Sequence, residues 1–212
     1  MLSIKRNISS VFKILLIIGF GYFFWLMLKI TLEYIPLKTD VSFLMIKQTE
    51  VRERQEYLYF FYTHVYTSIF VLLSGFLAII RKDFGVRSFH KKAGKIYIFL
   101  ILFLAAPSGI YMGVFANGGI YSKISFVILG SLWWFSTFKA FQLARQKKFK
   151  EHKQWMWRSF ALTISAITLR MWKVIIVYLF HPNPMDVYQI IAWMGWIPNI
   201  ILIEYLITKK YI

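Results

Sequence analysis

Six stretches of about 20 apolar residues constrain this chain more than any other feature of its sequence. They cover residues 11–34, 57–80, 96–115, 124–143, 155–180 and 187–207. Such stretches are long enough to cross a bilayer as helices, and a helix satisfies its own backbone polar groups in lipid. The sequence therefore predicts an all-α fold, a six-transmembrane-helix bundle that forms a single membrane domain over residues 1–212. Because the second to fifth spans have short connections, we expect them to form an antiparallel four-helix core.

Charge supports the membrane interpretation and predicts an orientation. The net charge is +17, which in a soluble domain would suggest nucleic acid. Here the basic residues lie mostly between the apolar stretches, so no nucleic-acid partner is expected. They cluster before the first span, between spans two and three, between spans four and five, and after the sixth. The positive-inside rule then places both termini in the cytoplasm.

The fifth span carries a polar stripe. Ser159, Thr163, Ala166 and Arg170 succeed one another at steps of four, three and four residues, which places them on one face of a helix. A basic side chain midway along an apolar helix is costly unless it faces the bundle interior or water. We therefore expect this stripe, including Arg170, to face the other helices.

A layer of candidate binding residues lies at one depth. At a rise of about 1.5 Å per residue, His64 lies about 25 Å above the inner end of the second span, and Arg170 lies at a similar height. Ser108 and Gly109, beside Pro107, reach this height in the third span. Small residues also serve close helix packing. Two ionisable groups at one depth nevertheless favour a binding site.

A second candidate site lies at the inner ends of the third and fifth spans. His90 and His152 stand there with several lysines, and we expect them to converge with Arg158 on an anion such as a lipid phosphate or a haem propionate. Two alternatives need no ligand. The neighbouring tryptophans favour simple anchoring at the interface, and Glu151 and Asp83 are acidic groups of the same loops that can neutralise the cluster.

Several classes of protein find little support. The chain has no cysteine, which excludes disulfides and thiolate chemistry. It shows no hydrolase, nucleotide-binding or zinc-protease motif, and the spans hold no carboxylate pair for a metal, so no metal site is expected. Neither a filter-like loop, a gating-charge series, a long repeat nor an inverted repeat is apparent, which disfavours a channel or a transporter. Whether the protein is an enzyme stays open.

The region from His64 to Arg170 resembles a bacterial family of predicted membrane proteins, domain of unknown function 2306. The resemblance rests on His64, H-K-K-A-G-K-I-Y at the start of the third span, A-P-S-G-I in its middle, the G-G after it, and H-K-Q-W-M-W-R-S-F-A-L-T with T-L-R in the fifth span. It covers about half of the chain and leaves out spans one and six. Lys95 stands where the family often has Arg. The resemblance implies a multipass protein of the bacterial inner (plasma) membrane with a four-helix core and no established activity.

Two functions remain. In the first, the bundle is a ligand-binding or accessory subunit that holds a lipid or another anion between its helices, with the bilayer and a larger membrane complex as partners. The alternative is a b-type haem or quinone-linked redox protein that uses His64 or the pair His90 and His152. No second histidine lies at the depth of His64, so only the pair supplies two imidazoles at one depth.

Overall fold

The computed structural model describes residues 2–83 and 87–210, with side chains from 14 to 80 and from 88 to 210 apart from position 184. All regular structure in these ranges is helical. The α-helices are α1 Leu2–Leu32, α2 Gln48–Glu53, α3 Gln55–Asp83, α4 Arg87–Leu100, α5 Ala106–Val114, α6 Gly119–Arg145, α7 Phe149–Phe180, α8 Pro184–Met194 and α9 Ile197–Thr208. A 3₁₀ segment, Ser42–Lys47, precedes α2, and a π-helical turn, Ile101–Ala105, joins α4 to α5.

The prediction of six membrane-spanning helices is confirmed by length and composition. The candidate spans are Ile14–Leu32, Gln55–Ile80, Ser88–Val114, Gly119–Arg145, Phe149–Phe180 and Met185–Thr208. The third span combines α4, the π turn and α5, and the sixth combines α8 and α9. Successive spans alternate in direction, so both chain termini lie at one end. We call this end the terminal end and the other the opposite end.

The second to fifth spans form the core of the bundle, as predicted. Helix α3 packs on α4 and α5, α5 packs on α6, and α6 packs on α7. Helix α1 lies against α3, while α8 and α9 lie against α7. The main apolar cluster takes residues from all four core spans, for example Val71, Ile101, Trp133 and Phe160. This arrangement directs one face of each core span towards a shared interior.

The connection between the first two spans folds into a cap over the opposite end. Lys47 is only 1% exposed because its ammonium contacts the Glu50 carboxylate at 2.7 Å and the carbonyl of Phe115. Leu44 is fully buried beside Tyr34, whose hydroxyl accepts a hydrogen bond from the backbone of the 3₁₀ segment. Burial raises the pKa of the Tyr34 phenol, so it stays neutral. The sequence did not reveal this cap, because the burial of Lys47 depends on its contact with Phe115, 68 residues away.

The π turn resolves a backbone problem that Pro107 creates. The backbone N–H of Ala106 donates to the carbonyl of Ile101, five residues earlier, as a π turn requires. The carbonyl of Leu102 would next need the N–H of residue 107, which proline lacks. Trp134 supplies the missing donor from α6, with Nε1 3.0 Å from that carbonyl oxygen. The third span therefore continues through Pro107 and packs its second half on α6.

Candidate functional site

Ser159 and Thr163, the first two members of the polar stripe on α7, are buried in a hydrogen-bonded network. Tyr97 Oη lies 2.8 Å from both Ser159 Oγ and Thr163 Oγ1. Trp133 Nε1 donates to Thr163 Oγ1 at 3.0 Å, and Thr137 Oγ1 lies 2.7 Å from Ser159 Oγ. Ser159 and Tyr97 are fully buried. The predicted inward orientation of this part of the stripe is thus confirmed, and the network joins three of the four core spans.

Ala166 and Arg170, the last two members of the stripe, are exposed. Arg170 Nη1 donates to the carbonyl oxygen of Ala166 at 2.7 Å. The side chain is exposed but has protein groups close around it, and we interpret this region as an open cleft between helices. It interacts electrostatically with Tyr34, Tyr188 and His64. We call these four residues the Arg170 cleft; it lies in the half of the bundle below the cap.

His64 enters the Arg170 cleft with a fixed tautomer. Its Nδ1 lies 2.8 Å from the carbonyl oxygen of Ala105, which can only accept, so Nδ1 carries the proton. The lone pair is then on Nε2. The carbonyl of Ala105 belongs to the π turn, so the bend in the third span supplies the group that orients this imidazole. The structure thereby brings His64 and Arg170 into one region of the bundle.

Ser108 and Gly109 support His64 and do not face the cleft as polar ligands. Ser108 is 2% exposed, and its hydroxyl donates within its own helix to the carbonyl of Leu104 at 2.5 Å. A Cβ at Gly109 would lie 2.8 Å from Cε1 of the His64 ring. The glycine therefore leaves the space that the imidazole fills. Ser108 Oγ also lies 3.2 Å from the carbonyl oxygen of Ala105, the same oxygen that His64 contacts, so both residues adjoin the imidazole.

The two histidines at the terminal end make bonds of the same kind. His90 Nδ1 lies 2.8 Å from the carbonyl oxygen of Ala78, and His152 Nδ1 lies 2.8 Å from that of Ala140. Each bond closes one helical hairpin, α3 with α4 and α6 with α7. These bonds again place the proton on Nδ1. The pairing of imidazoles with carbonyls was not foreseen from the sequence, because it depends on contacts between helices.

Arg158 belongs to a different contact from the one expected. Its Nε donates to Glu204 Oε1 at 2.5 Å and its Nη2 to Oε2 at 2.9 Å, so it holds α9 against α7. The guanidinium also lies 4.6 Å from the ring centre of Trp155. The sequence predicted that Arg158 would join the two histidines around one anion. In the structure its guanidinium binds Glu204 instead. The side chain of Asp83, expected to neutralise the basic cluster, lies outside the described residues.

Sequence reasoning missed several of these residues. Tyr97, Trp133 and Tyr188 are aromatic residues with only one polar side-chain atom each, and Glu204 stands without a second carboxylate near the end of the sixth span. The separation between partners explains this: Arg158 and Glu204 are 46 residues apart, and Tyr97 and Ser159 are 62 apart. The one usable signal was Glu204 itself, an acidic group in an apolar span that required a basic partner.

Fold and contacts together define a multipass membrane protein whose four-helix core buries a polar network and which carries an exposed arginine, Arg170, on one core helix. The profile of the family described as Predicted membrane protein (DUF2306) matches residues 61–207, and the chain belongs to that family. The match includes the sixth span, which the resemblance drawn from the sequence had left out. No curated protein and no solved structure matches this chain.

Proposed function

We propose that this protein is a ligand-binding membrane protein that holds an oxyanion in the Arg170 cleft. The observation that carries the proposal is the state of Arg170: among the described residues its guanidinium has a single hydrogen-bond partner, the carbonyl of Ala166, and no carboxylate. A charge in a membrane interior is stabilised by an opposite charge or by water. Arg158, the comparable arginine on the same helix, has the bidentate partner Glu204.

The chemistry of the cleft defines the class of ligand. A guanidinium presents five N–H donors in a planar fork that matches a phosphate or a carboxylate. His64 contributes a second contact through Nε2, which can accept a hydrogen bond from a hydroxyl or from a protonated oxyanion. Apolar helices surround both groups, so the rest of the ligand is apolar. An anionic lipid or another amphipathic acid meets all three requirements.

A buried hydroxyl on the same helix supports a polar occupant. Ser68 Oγ is buried and has no hydrogen-bond partner in the part of the chain that the structure describes. It lies one helical turn from His64, on the same face of α3. A buried hydroxyl without a partner costs about 1–3 kcal/mol. A polar ligand or a water that accompanies it would remove this cost.

The proposal is tested by lipid retention. The wild type, Arg170→Gln and Arg145→Gln are purified from nanodiscs that contain phosphatidylglycerol, and bound lipid is measured by native mass spectrometry. Arg145 is the matched control because it is an exposed basic residue at the terminal end. We expect the wild type and Arg145→Gln to retain an anionic lipid and Arg170→Gln to lose it. Equal retention by all three proteins would contradict the proposal. A co-purifying protein lost only from Arg170→Gln would instead identify a partner subunit.

The location and orientation are inferred from the basic loops and the family. We infer that the protein lies in the bacterial inner membrane with the terminal end in the cytoplasm, supported by the basic residues on both sides of the α3–α4 and α6–α7 connections. The Arg170 cleft then lies in the outer half of the bilayer. A ligand drawn from the outer leaflet would reach it without crossing the membrane.

A further inference from the structure

The hairpins α3–α4 and α6–α7 contain the same contact. In the first, Nδ1 of His90 meets the carbonyl of Ala78, twelve residues earlier; in the second, Nδ1 of His152 meets the carbonyl of Ala140, also twelve residues earlier. Both distances are 2.8 Å. An agreement in residue type, atom, separation and distance indicates that the two hairpins are structural repeats.

A second pair of contacts repeats higher in the hairpins. Gly75 on α3 faces Tyr97 on α4 so closely that an added Cβ would lie 2.6 Å from the tyrosine ring. In the other hairpin, Thr137 on α6 contacts Ser159 on α7 at 2.7 Å. Tyr97 and Ser159 are 62 residues apart, and the same offset relates Gly75 to Thr137. The two hairpins run in the same direction, so a rotation about an axis along the bundle relates them.

The repeat directs both inner histidines towards this axis. Tyr97 and Ser159 are equivalent positions that touch one another, so they mark where α4 and α7 face each other across the axis. His90 precedes Tyr97 by seven residues, and His152 precedes Ser159 by seven residues. Seven residues are close to two helical turns, so each histidine lies on the axis-facing side of its helix, about 10 Å nearer the terminal end.

We propose that His90 and His152 are the two axial ligands of one b-type haem at the terminal end of the core. In each imidazole the bond to a carbonyl places the proton on Nδ1, which leaves the lone pair on Nε2. A metal-ligating histidine nearly always donates its other ring N–H to a carbonyl or a carboxylate in this way. Bundles that bind haem hold it between inward side chains of facing helices.

The donor set fits a haem better than a bare metal ion. A structural zinc takes four protein ligands, and the described residues contain no group of three or more histidine, aspartate or glutamate side chains that could hold a metal. A porphyrin supplies four nitrogens to its iron, so two imidazoles complete the coordination. The chain has no cysteine, which excludes the thioether bonds of a c-type haem, so the haem is held non-covalently.

The helices beside the histidines carry short side chains at this level. Ser74 and Ala78 on α3 are buried and lie one turn apart, and the repeat places Ser136 and Ala140 at the equivalent positions on α6. Short side chains on both neighbouring helices are what a flat ring beside the axis requires. Exposed lysines at the same end supply partners for the propionates: Lys91, Lys92 and Lys153.

His64 has no part in this site. The repeat offset relates it to Phe126 on α6, so its half of the bundle has no second imidazole. Its bond to the carbonyl of Ala105 resembles that of the other two histidines, which makes His64 a matched control. The haem site and the Arg170 cleft lie in different halves of the bundle, so the two proposals succeed or fail separately.

The test is an absorption spectrum of the full chain, expressed with a haem precursor, purified in detergent and then titrated with haemin. We expect a Soret band in the wild type and two sharp α and β bands on reduction with dithionite, as two imidazole ligands produce. His90→Ala and His152→Ala should each lose the reduced low-spin spectrum. His64→Ala and His181→Asn should keep it.

A second pair of variants separates a lost ligand from a lost fold. Methionine also ligates haem iron, so His90→Met and His152→Met should shift the bands and raise the midpoint potential without abolishing haem binding. Gel filtration in detergent checks that each variant remains monodisperse. A wild type that binds no haemin, or a spectrum that depends on His64 and not on the other two, would overturn the proposal.

Discussion

A glycine decides how His64 is held. The imidazole occupies the space where the side chain of residue 109 would stand, and it uses that position to reach the carbonyl of Ala105. The carbonyl that binds the imidazole and the space that admits it belong to the same span, because the π turn lies one turn before the glycine. The orientation of His64 in the Arg170 cleft is therefore set by the third span and not by its own helix.

Gly109→Ala should destabilise the protein by about 1–3 kcal/mol, the usual cost of overpacking a filled site. The added Cβ would lie 2.8 Å from Cε1 and 3.0 Å from Nδ1 of His64, so the ring has to move away from the carbonyl. Gly94→Ala is the control, since nothing lies within 4 Å of its added Cβ. There the gain in helix propensity should stabilise by up to about 1 kcal/mol. Thermal unfolding in detergent measures both, and equal effects would contradict the contact.

Among single residues, the sequence predicted the orientations that spacing along one helix determines. The steps between Ser159 and Thr163 indicated a buried polar face, and the structure confirms it. The partner residues were beyond reach because tyrosine and tryptophan in an apolar span look like lipid-facing or packing side chains. Tyr97 accepts or donates its hydrogen bonds across 62 and 66 residues, a distance at which one sequence carries no pairing signal.

Among the elements, the third span departs most from a regular helix. A proline inside a helix leaves one backbone carbonyl without its N–H donor, and the structure shows which group replaces that donor. The π turn shifts the hydrogen-bond register, and Trp134 on α6 donates to Leu102 in place of the missing backbone N–H. The proline thus fastens the third span to the fourth. The sequence could not predict this contact, because it depends on how α5 packs on α6.

A double-mutant cycle tests the link between Pro107 and Trp134. Trp134→Phe should cost about 1–3 kcal/mol in the wild-type background, because the carbonyl of Leu102 loses its donor. In a Pro107→Ala background the new backbone N–H can serve that carbonyl, so the same substitution should cost less. The loss of indole volume is common to both backgrounds and cancels in the cycle. Unfolding in SDS or urea measures each variant, and a coupling energy of zero would rule out the link.

Across the whole molecule, the number of spans and the membership of the core were predictable because each span carries its own apolar signal. The repeat was not. In the letters the repeat leaves little beyond S-x-F-x-A at 74–78 and 136–140 and His-Lys at 90–91 and 152–153, because most other equivalent positions hold different residues. The relation is visible in the contacts, where two carbonyls and two imidazoles occupy matching places. Apolar side chains in a packed core can be exchanged for one another, whereas a buried hydrogen bond requires a donor and an acceptor at two particular positions.

The proposed orientation is tested by labelling single cysteines, which the cysteine-free chain permits without further changes. Thr39, Gln146 and Asn183 are exposed and lie in three different connections. Thr39→Cys and Asn183→Cys should react in intact cells with a thiol reagent that does not cross the membrane. The basic loops lie at the terminal end and place it in the cytoplasm, so the opposite end, which carries these two residues, is outside. Gln146→Cys should react only after the cells are lysed. The reverse pattern would invert the topology.

The network around Tyr97 has a consequence for permeation. It lies between the Arg170 cleft and the inner histidines, and its tyrosine is fully buried between Phe160, Ile101 and Trp133. A solute moving along the bundle would have to pull Tyr97 from Ser159 and Thr163 and then displace the aromatic side chains behind it. Packed side chains thus separate the Arg170 cleft from the inner histidines at mid-depth of the core. A group bound at one of the two proposed sites would therefore have no direct path to the other through the described core.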